Sequence, residues 1–224
     1  MKRLASLALL LLAGCGSVPK AASSTTPAVP PATALLIVGN SITRHGADPT
    51  IGWTGDWGMA ASAEANDFAH LTAASLNLPL TTLNGAPAEQ QPALNGAALV
   101  TKITAAMTPH TLVVVEMGDD VTATSLSAFG PVYDQVIEAA STGRALVCTS
   151  TYWTNKAVDT VLQSTCTAHS GIFIPIGDIY TNPDNPDYQG APEFSNRSVQ
   201  RHPHDWSMSQ IAARIVASTS ADAH

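Results

Sequence analysis

Five short apolar runs, separated by stretches with helical periodicity, constrain the fold of this chain more than any other feature. Runs that are hydrophobic throughout, rather than alternating with polar residues, are typical of parallel strands buried on both faces of a sheet. The runs cover residues 34–39, 80–83, 111–117, 145–151 and 172–176, and the helical stretches cover 59–76, 94–107, 125–140, 154–169 and 205–218. Such alternation requires helical crossovers between parallel strands. The sequence therefore predicts an α/β fold, a three-layer α/β/α sandwich around a five-stranded parallel sheet.

The amino-terminal residues have the pattern of a bacterial lipoprotein signal. Lys2 and Arg3 precede an apolar stretch, residues 4–12, that is too short to span a bilayer. It leads into Leu-Ala-Gly-Cys, which resembles a lipobox, so residues 1–15 are interpreted as signal peptide and lipobox with lipidation at Cys15. The alternative is an ordinary secretory signal with a chance cysteine. We expect contact with the membrane through the lipid anchor only, and a location in the cell envelope, facing the periplasm or the outside.

Composition divides the rest of the chain and excludes one class of partner. Residues 16–33 are rich in Ser, Thr, Ala and Pro and predict a disordered tether, followed by one domain over 34–219 and a tail over 220–224. Loss of Lys2 and Arg3 with the signal takes the formal net charge from −7 to about −9. Nucleic-acid binding requires a basic surface, so no nucleic-acid partner is expected.

Two cysteines lie within the predicted domain. Cys148 is at the end of the fourth predicted strand, and Cys166 is late in the helix that follows. An exported chain matures in an oxidising compartment, where such a pair forms a disulfide that would pin this helix to the sheet. The alternative is that both are small buried side chains.

Two segments place a nucleophile and a base at the same edge of the predicted sheet. The first apolar run ends in Gly39-Asn40-Ser41-Ile42-Thr43, and His202-Pro203 lies just before the last helix, for which Asp205 is the expected N-cap. Open α/β sheets collect their sites at the carboxyl ends of the strands. A serine needs a nearby base to become a nucleophile. We therefore expect Ser41 and His202 to meet there.

These segments resemble the SGNH (GDSL-like) hydrolase family, whose first block reads Gly-Asp-Ser and whose last block contains His-Pro. The resemblance extends over residues 34–219 and implies a flavodoxin-like sheet. It further implies that Ser41 is the nucleophile and His202 the general base of an ester hydrolase that needs no cofactor. His204 forms a His-x-His pair with His202, but the intervening proline and the absence of a third patterned ligand argue against a metal site.

The resemblance also implies an oxyanion hole, with one departure from the family pattern. The family uses the amides of the serine and of a second-block glycine, which correspond to Ser41 and Gly85, although Gly85 is equally well explained as a turn glycine. The third block should read Gly-x-Asn, and here Asp120 holds the asparagine position. An ionised carboxylate accepts but cannot donate. Because Asn40 replaces the family's aspartate, the two exchanges are reciprocal and suggest a hydrogen bond between Asn40 and Asp120.

A second departure concerns the orientation of His202. The family places an aspartate three residues before the histidine, and that position is Val199 here. The sequence leaves several acceptors open for the imidazole: a side chain from another loop, a backbone carbonyl, or none. The side chains considered are Glu193, Asp178 and Glu116. A Ser-His pair can still work, because much of the catalysis comes from the oxyanion hole and from positioning.

The sequence leaves three functions open. The first is a serine esterase that cleaves an O-acetyl or short acyl ester, on a small molecule or on an envelope or extracellular glycan. An O-acyltransferase would use the same Ser41 and His202, and a catalytically impaired envelope binding protein would keep only the fold. Trp53 and Trp57, after the serine, are interpreted either as packing against the sheet rim or as a surface for a sugar ring.

Overall fold

The computed structural model describes residues 31–189 and 194–220. The predicted signal, most of the tether, Cys15, Glu193 and the residues after 220 lie outside the described residues. Within the described part of the chain, no helix is long and apolar enough to cross a membrane.

A single parallel sheet lies at the centre of the described residues and confirms the predicted fold class. The strands are β1 (Ala34–Gly39), β2 (Leu80–Asn84), β3 (Thr111–Glu116), β4 (Ala145–Thr149) and β5 (Ile172–Ile174). Their order is β2-β1-β3-β4-β5, and every neighbouring pair is parallel. β3 is buried along its whole length, as expected for a central strand covered on both faces.

Helices cover both faces of this sheet. They are α1 (Phe68–Leu76), α2 (Ala86–Gln90), α3 (Pro92–Ala106), α4 (Leu126–Ala140), α5 (Lys156–Ala168), α6 (Gly177–Thr181), α7 (Arg197–Gln200) and α8 (Asp205–Ser220). One core cluster joins α3, α4 and α5 to one face, and a second joins α1, α6 and α8 to the other. These clusters bury the apolar stripes of the helices and complete the three layers.

The predicted helix over 59–76 is wrong in its first half, because α1 begins only at Phe68. The Asp67 carboxylate caps α1 by accepting from the His70 amide at 2.7 Å, and it also accepts from the Gly58 amide at 3.0 Å. Residues 59–66 therefore form a loop that includes one short 3-10 helix (Glu64–Asn66), with Ala60 in the left-handed region at φ 72°. Tertiary hydrogen bonds override the helical preference of this Ala-rich stretch.

The start of α8 also differs from the prediction. Asp205 is the first residue of the helix, and the carbonyl of His204, at the N-cap position, accepts from the Met208 amide at 2.8 Å. The Asp205 carboxylate instead accepts from the amide and hydroxyl of Ser62, at 2.8 and 2.6 Å. It thereby ties the start of α8 to the loop that precedes α1.

The structure confirms the disulfide between Cys148 and Cys166, which joins β4 to α5 across a sequence separation of 18 residues. Closing a loop of this length stabilises a protein by about 3 kcal/mol, mainly by restricting the unfolded chain. For a domain of this size, we expect Cys148→Ser/Cys166→Ser to lower Tm by roughly 6–12 °C. Thermal unfolding with and without reductant measures the effect. Reductant should lower the Tm of the wild type and leave that of the double variant unchanged. If the two proteins have the same Tm without reductant, the prediction is contradicted.

Candidate active site

Ser41 lies in a tight turn directly after β1. The turn requires Gly39, because a Cβ at that position would lie 2.5 Å from the Glu116 carbonyl oxygen. Asn40 shapes the turn by accepting from the Ile42 amide through its side-chain oxygen at 2.9 Å. The serine is thus held at the carboxyl edge of the sheet, as the sequence predicts.

His202 meets Ser41 from the other end of the chain. Its Nδ1 donates to the Ser198 carbonyl at 2.7 Å, and this bond assigns the ring proton to Nδ1. Nε2 is then an acceptor, and it lies 2.8 Å from the Ser41 hydroxyl oxygen. The structure therefore brings the predicted nucleophile and base into hydrogen-bond contact, across 161 positions of sequence.

A backbone carbonyl takes the orienting position that the family gives to an aspartate. Ser198 lies on the short helix α7, which the sequence did not predict. Val199 is fully buried with Trp53, Met59 and Ala60, which explains its apolar character. The other described acceptors are engaged elsewhere: Asp178 pairs with Arg214 at 2.6 Å, and Glu116 accepts from the Thr43 hydroxyl at 3.0 Å.

Trp153 holds the loop of His202 from the side. Its ring meets the imidazole edge-on, with centroids 5.0 Å apart, and its indole nitrogen donates to the Arg201 carbonyl at 3.1 Å. The backbone amides of Tyr152 and Trp153 both donate to the Asp119 carboxylate at 3.0 Å. The end of β4 is thereby connected to the base. Nothing in the sequence assigned this role to Trp153.

Burial sets the protonation state of His202. Desolvation of the charged form lowers the pKa of His202 to about 4, although the Ser198 carbonyl acts in the opposite direction. The imidazole is therefore neutral at neutral pH, as a general base must be. A backbone carbonyl carries no full charge, so the imidazolium that forms during proton transfer is less stabilised here than beside a carboxylate.

The three predicted oxyanion groups lie at one rim but differ in availability. The Ser41 amide has no acceptor among the described residues. The Gly85 amide donates to the Gly39 carbonyl at 2.6 Å, so it would have to break this bond to bind an oxyanion. Asp120 accepts from the Gln90 side chain at 3.2 Å, and burial raises its pKa. The oxyanion roles of Gly85 and Asp120 stay predictions.

A cavity of about 380 Å³ opens beside the Ser-His pair. Residues with polar side chains line it, namely Ser41, Arg44, His45, Asn84, Gln90, Asp120, Ser198 and His202, together with the apolar Ile51, Met59, Ala86 and Pro87. These residues come from parts of the chain that are distant in sequence and meet at the carboxyl edge of the sheet, where such folds bind ligands.

Comparison with known proteins identifies this architecture. No protein-family model matches the chain, and no curated protein matches it in sequence. Solved structures do match: an acetylxylan esterase, Axe2, from Geobacillus stearothermophilus has a TM-score of 0.56 at 10% identity, covering 85% of this chain and 95% of that one. A member of the lipolytic G-D-S-L family from Veillonella parvula has a TM-score of 0.53 at 14% identity, covering 84% and 99%. The chain has the SGNH hydrolase fold.

A third structural neighbour is a carbohydrate esterase. A family two carbohydrate esterase from Clostridium thermocellum, whose structure is a complex with cellohexaose, has a TM-score of 0.53 at 15% identity, covering 86% of this chain and 65% of that one. At these identities the likeness establishes the fold, and the chemistry of the site has to be argued from the residues of this chain.

Beneath the Ser-His pair lies a cluster of three carboxyl groups that no sequence pattern predicts: Glu89 and Glu116 are buried, and Asp119 is half-buried. Desolvation raises the pKa of Glu89 to about 8, that of Asp119 to about 6, and that of Glu116 well above its usual range. Glu89 also accepts from the Asp120 amide at 2.8 Å, which fixes the third block. Glu89 therefore holds a proton at neutral pH, and the cluster connects the loops around Ser41.

This cluster accounts for the asparagine in the first SGNH block. The Asn40 amide nitrogen lies 3.4 Å from a carboxyl oxygen of Glu89 and 3.4 Å from one of Glu116. An aspartate at this position would add a fourth carboxyl group to a site from which water is excluded. The suggested hydrogen bond between Asn40 and Asp120 is not formed, because Asn40 contacts the two glutamates instead.

The two tryptophans of the loop after Ser41 pack within the domain. Trp53 is buried against Phe194 and meets the ring of Trp57 edge-on. Their indole nitrogens donate to the carbonyls of His45 and Ala61, both at 2.9 Å. For Trp53, this confirms the packing interpretation.

Across residues 31–189 and 194–220, no group of three or more His, Cys, Asp or Glu side chains is arranged to hold a metal ion.

Proposed function

We propose that this protein is a serine hydrolase that cleaves carboxylic esters. The observation that carries the proposal is the contact between the Ser41 hydroxyl and His202 Nε2 at 2.8 Å, with Nδ1 held by the Ser198 carbonyl at 2.7 Å. The pair opens on a cavity at the edge of the sheet where this fold class binds its ligands. Neighbours of the same fold described as lipolytic or as acetylxylan esterases support the assignment.

The reaction proceeds through an acyl-enzyme. Ser41 Oγ attacks the ester carbonyl while His202 Nε2 takes its proton, giving a tetrahedral oxyanion beside the free Ser41 amide. Collapse breaks the bond to the alcohol, which receives the proton from Nε2. Water then attacks the acyl-serine with His202 again as base, and the second collapse releases the carboxylic acid and restores the Ser41 hydroxyl.

The lining of the cavity favours a small acyl group on a polar alcohol. Arg44, His45 and Gln90 present polar groups beside the Ser-His pair, in a cavity of only about 380 Å³. A separate, more apolar cavity near Leu112 and Ile172 lies at the amino end of the sheet and away from Ser41. An O-acetyl or short acyl ester of a glycan satisfies these conditions, and a long fatty acyl chain does not. The carbohydrate-directed names of two structural neighbours are consistent with this substrate class.

Labelling with a fluorophosphonate tests the serine hydrolase assignment directly. We expect covalent modification of Ser41, identified by peptide mass, with no labelling of Ser41→Ala and much slower labelling of His202→Ala. Ser141→Ala, at the carboxyl end of α4 and outside the lining of the cavity, should label like the wild type. A folded wild-type protein that resists labelling would exclude the hydrolase and favour a binding protein. A rate series with aryl acetate, butyrate and octanoate then tests the acyl size, and we expect acetate to be the best.

We propose further that the enzyme is anchored to the envelope through lipid on Cys15, on the basis of the Leu-Ala-Gly-Cys pattern in the sequence. Cys15→Ala should remove the acyl chains and shift the protein from the membrane to the soluble fraction. Fractionation and intact mass measure both effects. Membrane association and mass that do not change in this variant would favour the ordinary secretory signal.

A further inference from the structure

Asn84 lies at the rim of the catalytic cavity and has no assigned role. It is the last residue of β2, its Cα pairs in register with that of Gly39, and its side chain lines the same cavity as Ser41 and His202. The end of β2 therefore brings a neutral carboxamide to the edge of the sheet where the oxyanion forms.

The carboxamide of Asn84 is oriented by a local bond. Its side-chain oxygen accepts from the Ala86 amide at 2.9 Å. Because the oxygen is fixed in this turn, the NH2 group is directed away from it, and neither of its hydrogens has an acceptor among the described residues. Asn84 thus presents two donors, with no acceptor among the described residues, at the cavity that Ser41 also lines.

The other polar groups around the cavity already take part in hydrogen bonds or ion pairs. The Gly85 amide donates to the Gly39 carbonyl at 2.6 Å, and the Gln90 side chain donates to Asp120 at 3.2 Å. Arg44 is paired with Asp56 at 2.7 Å. His45 donates through Nδ1 to the Gly46 carbonyl at 2.7 Å.

We propose that the Asn84 carboxamide is the side-chain donor of the oxyanion hole, in place of the asparagine that Asp120 replaces in the third block. It acts together with the Ser41 amide on the oxygen that becomes negative in the tetrahedral intermediate. The inference rests on the proposed esterase function. It assigns a catalytic contact to a residue of the second block whose side chain lies outside the family pattern.

Two substitutions separate this role from the turn that Asn84 caps. Asn84→Ser and Asn84→Asp both keep an oxygen that accepts from the Ala86 amide, but neither retains the carboxamide donor. Loss of one oxyanion donor costs about 100- to 1,000-fold in kcat. We expect this loss in both variants on an aryl acetate, with KM and Tm close to wild type. The matched control is Asn95→Ala, which removes a half-buried asparagine of α3 that donates to the Pro87 carbonyl and does not line the cavity; it should keep wild-type kcat.

A rescue experiment supplies the second readout. In the double variant Asn84→Ser/Asp120→Asn, the donor returns to the position that the family uses. We therefore expect Asp120→Asn to raise kcat at least about 10-fold more in the Asn84→Ser background than in the wild type. A purely structural role for Asn84 predicts the same gain in both backgrounds. Wild-type kcat in both single variants, or an equal gain from Asp120→Asn in the two backgrounds, would overturn the proposal. Absence of ester turnover and of fluorophosphonate labelling in the wild type would instead overturn the proposed function itself.

Discussion

Replacement of Ser41 or His202 by alanine is expected to lower kcat/KM for an aryl acetate by roughly three to six orders of magnitude. Ser41→Ala removes the atom that forms the acyl-enzyme. His202→Ala removes the acceptor that lies 2.8 Å from the serine hydroxyl. Groups that act as one unit are strongly non-additive, so the double variant should lose little more than either single variant. Steady-state kinetics of the four proteins measure this directly.

The pH profile of the wild type adds an independent check on His202. Protonation of the imidazole removes the base, and the pKa of His202 is lowered to about 4, so the acid limb of kcat/KM should lie near this value. Ser141→Ala serves as the control for serine removal. Additive losses in the double variant, or an acid limb near the ordinary histidine pKa of about 6.5, would contradict the arrangement described for the pair.

Asp120→Asn is expected to raise kcat at neutral to alkaline pH by about 10- to 100-fold. This gain is part of the factor of about 100- to 1,000-fold in kcat that is lost when one oxyanion donor is removed. Burial raises the pKa of Asp120. Below that pKa the neutral acid can donate, and above it the carboxylate repels the developing oxyanion. Activity of the wild type should therefore fall as pH rises through the pKa of Asp120, giving a narrow bell whose acid side is set by His202. The amide does not titrate, so the alkaline limb should disappear in the variant.

Asp134→Asn provides the matched control, because it removes one carboxylate from an exposed position on α4, where Asp134 contacts His169 at 3.0 Å. Its pH profile should be that of the wild type. A loss of activity in Asp120→Asn would assign a different duty to Asp120. Orientation of His202 is not that duty in the structure, since the Ser198 carbonyl holds Nδ1.

The sequence predicted the fold because its strongest signals are local. Each of the five strands falls within a predicted apolar run or extends it by one residue, and the disulfide follows from two cysteines placed on adjacent elements. The helix over 59–76 failed for a non-local reason. Hydrogen bonds from Gly58 and Ser62 to Asp67 and Asp205 stabilise a loop in a stretch whose composition favours a helix.

At the site, the sequence by itself predicted the two residues proposed to carry the chemistry. Ser41 follows a buried strand, His202 precedes the last helix, and parallel strands bring such ends to one edge. Only the tertiary structure decided which partners the residues of the site have: the Ser198 carbonyl for His202, the carboxyl groups of Glu89 and Glu116 for Asn40, and the Ala86 amide for the side-chain oxygen of Asn84. The physical reason is that burial and hydrogen bonds between distant loops depend on proximity in three dimensions. Such proximity leaves no periodic pattern in the sequence.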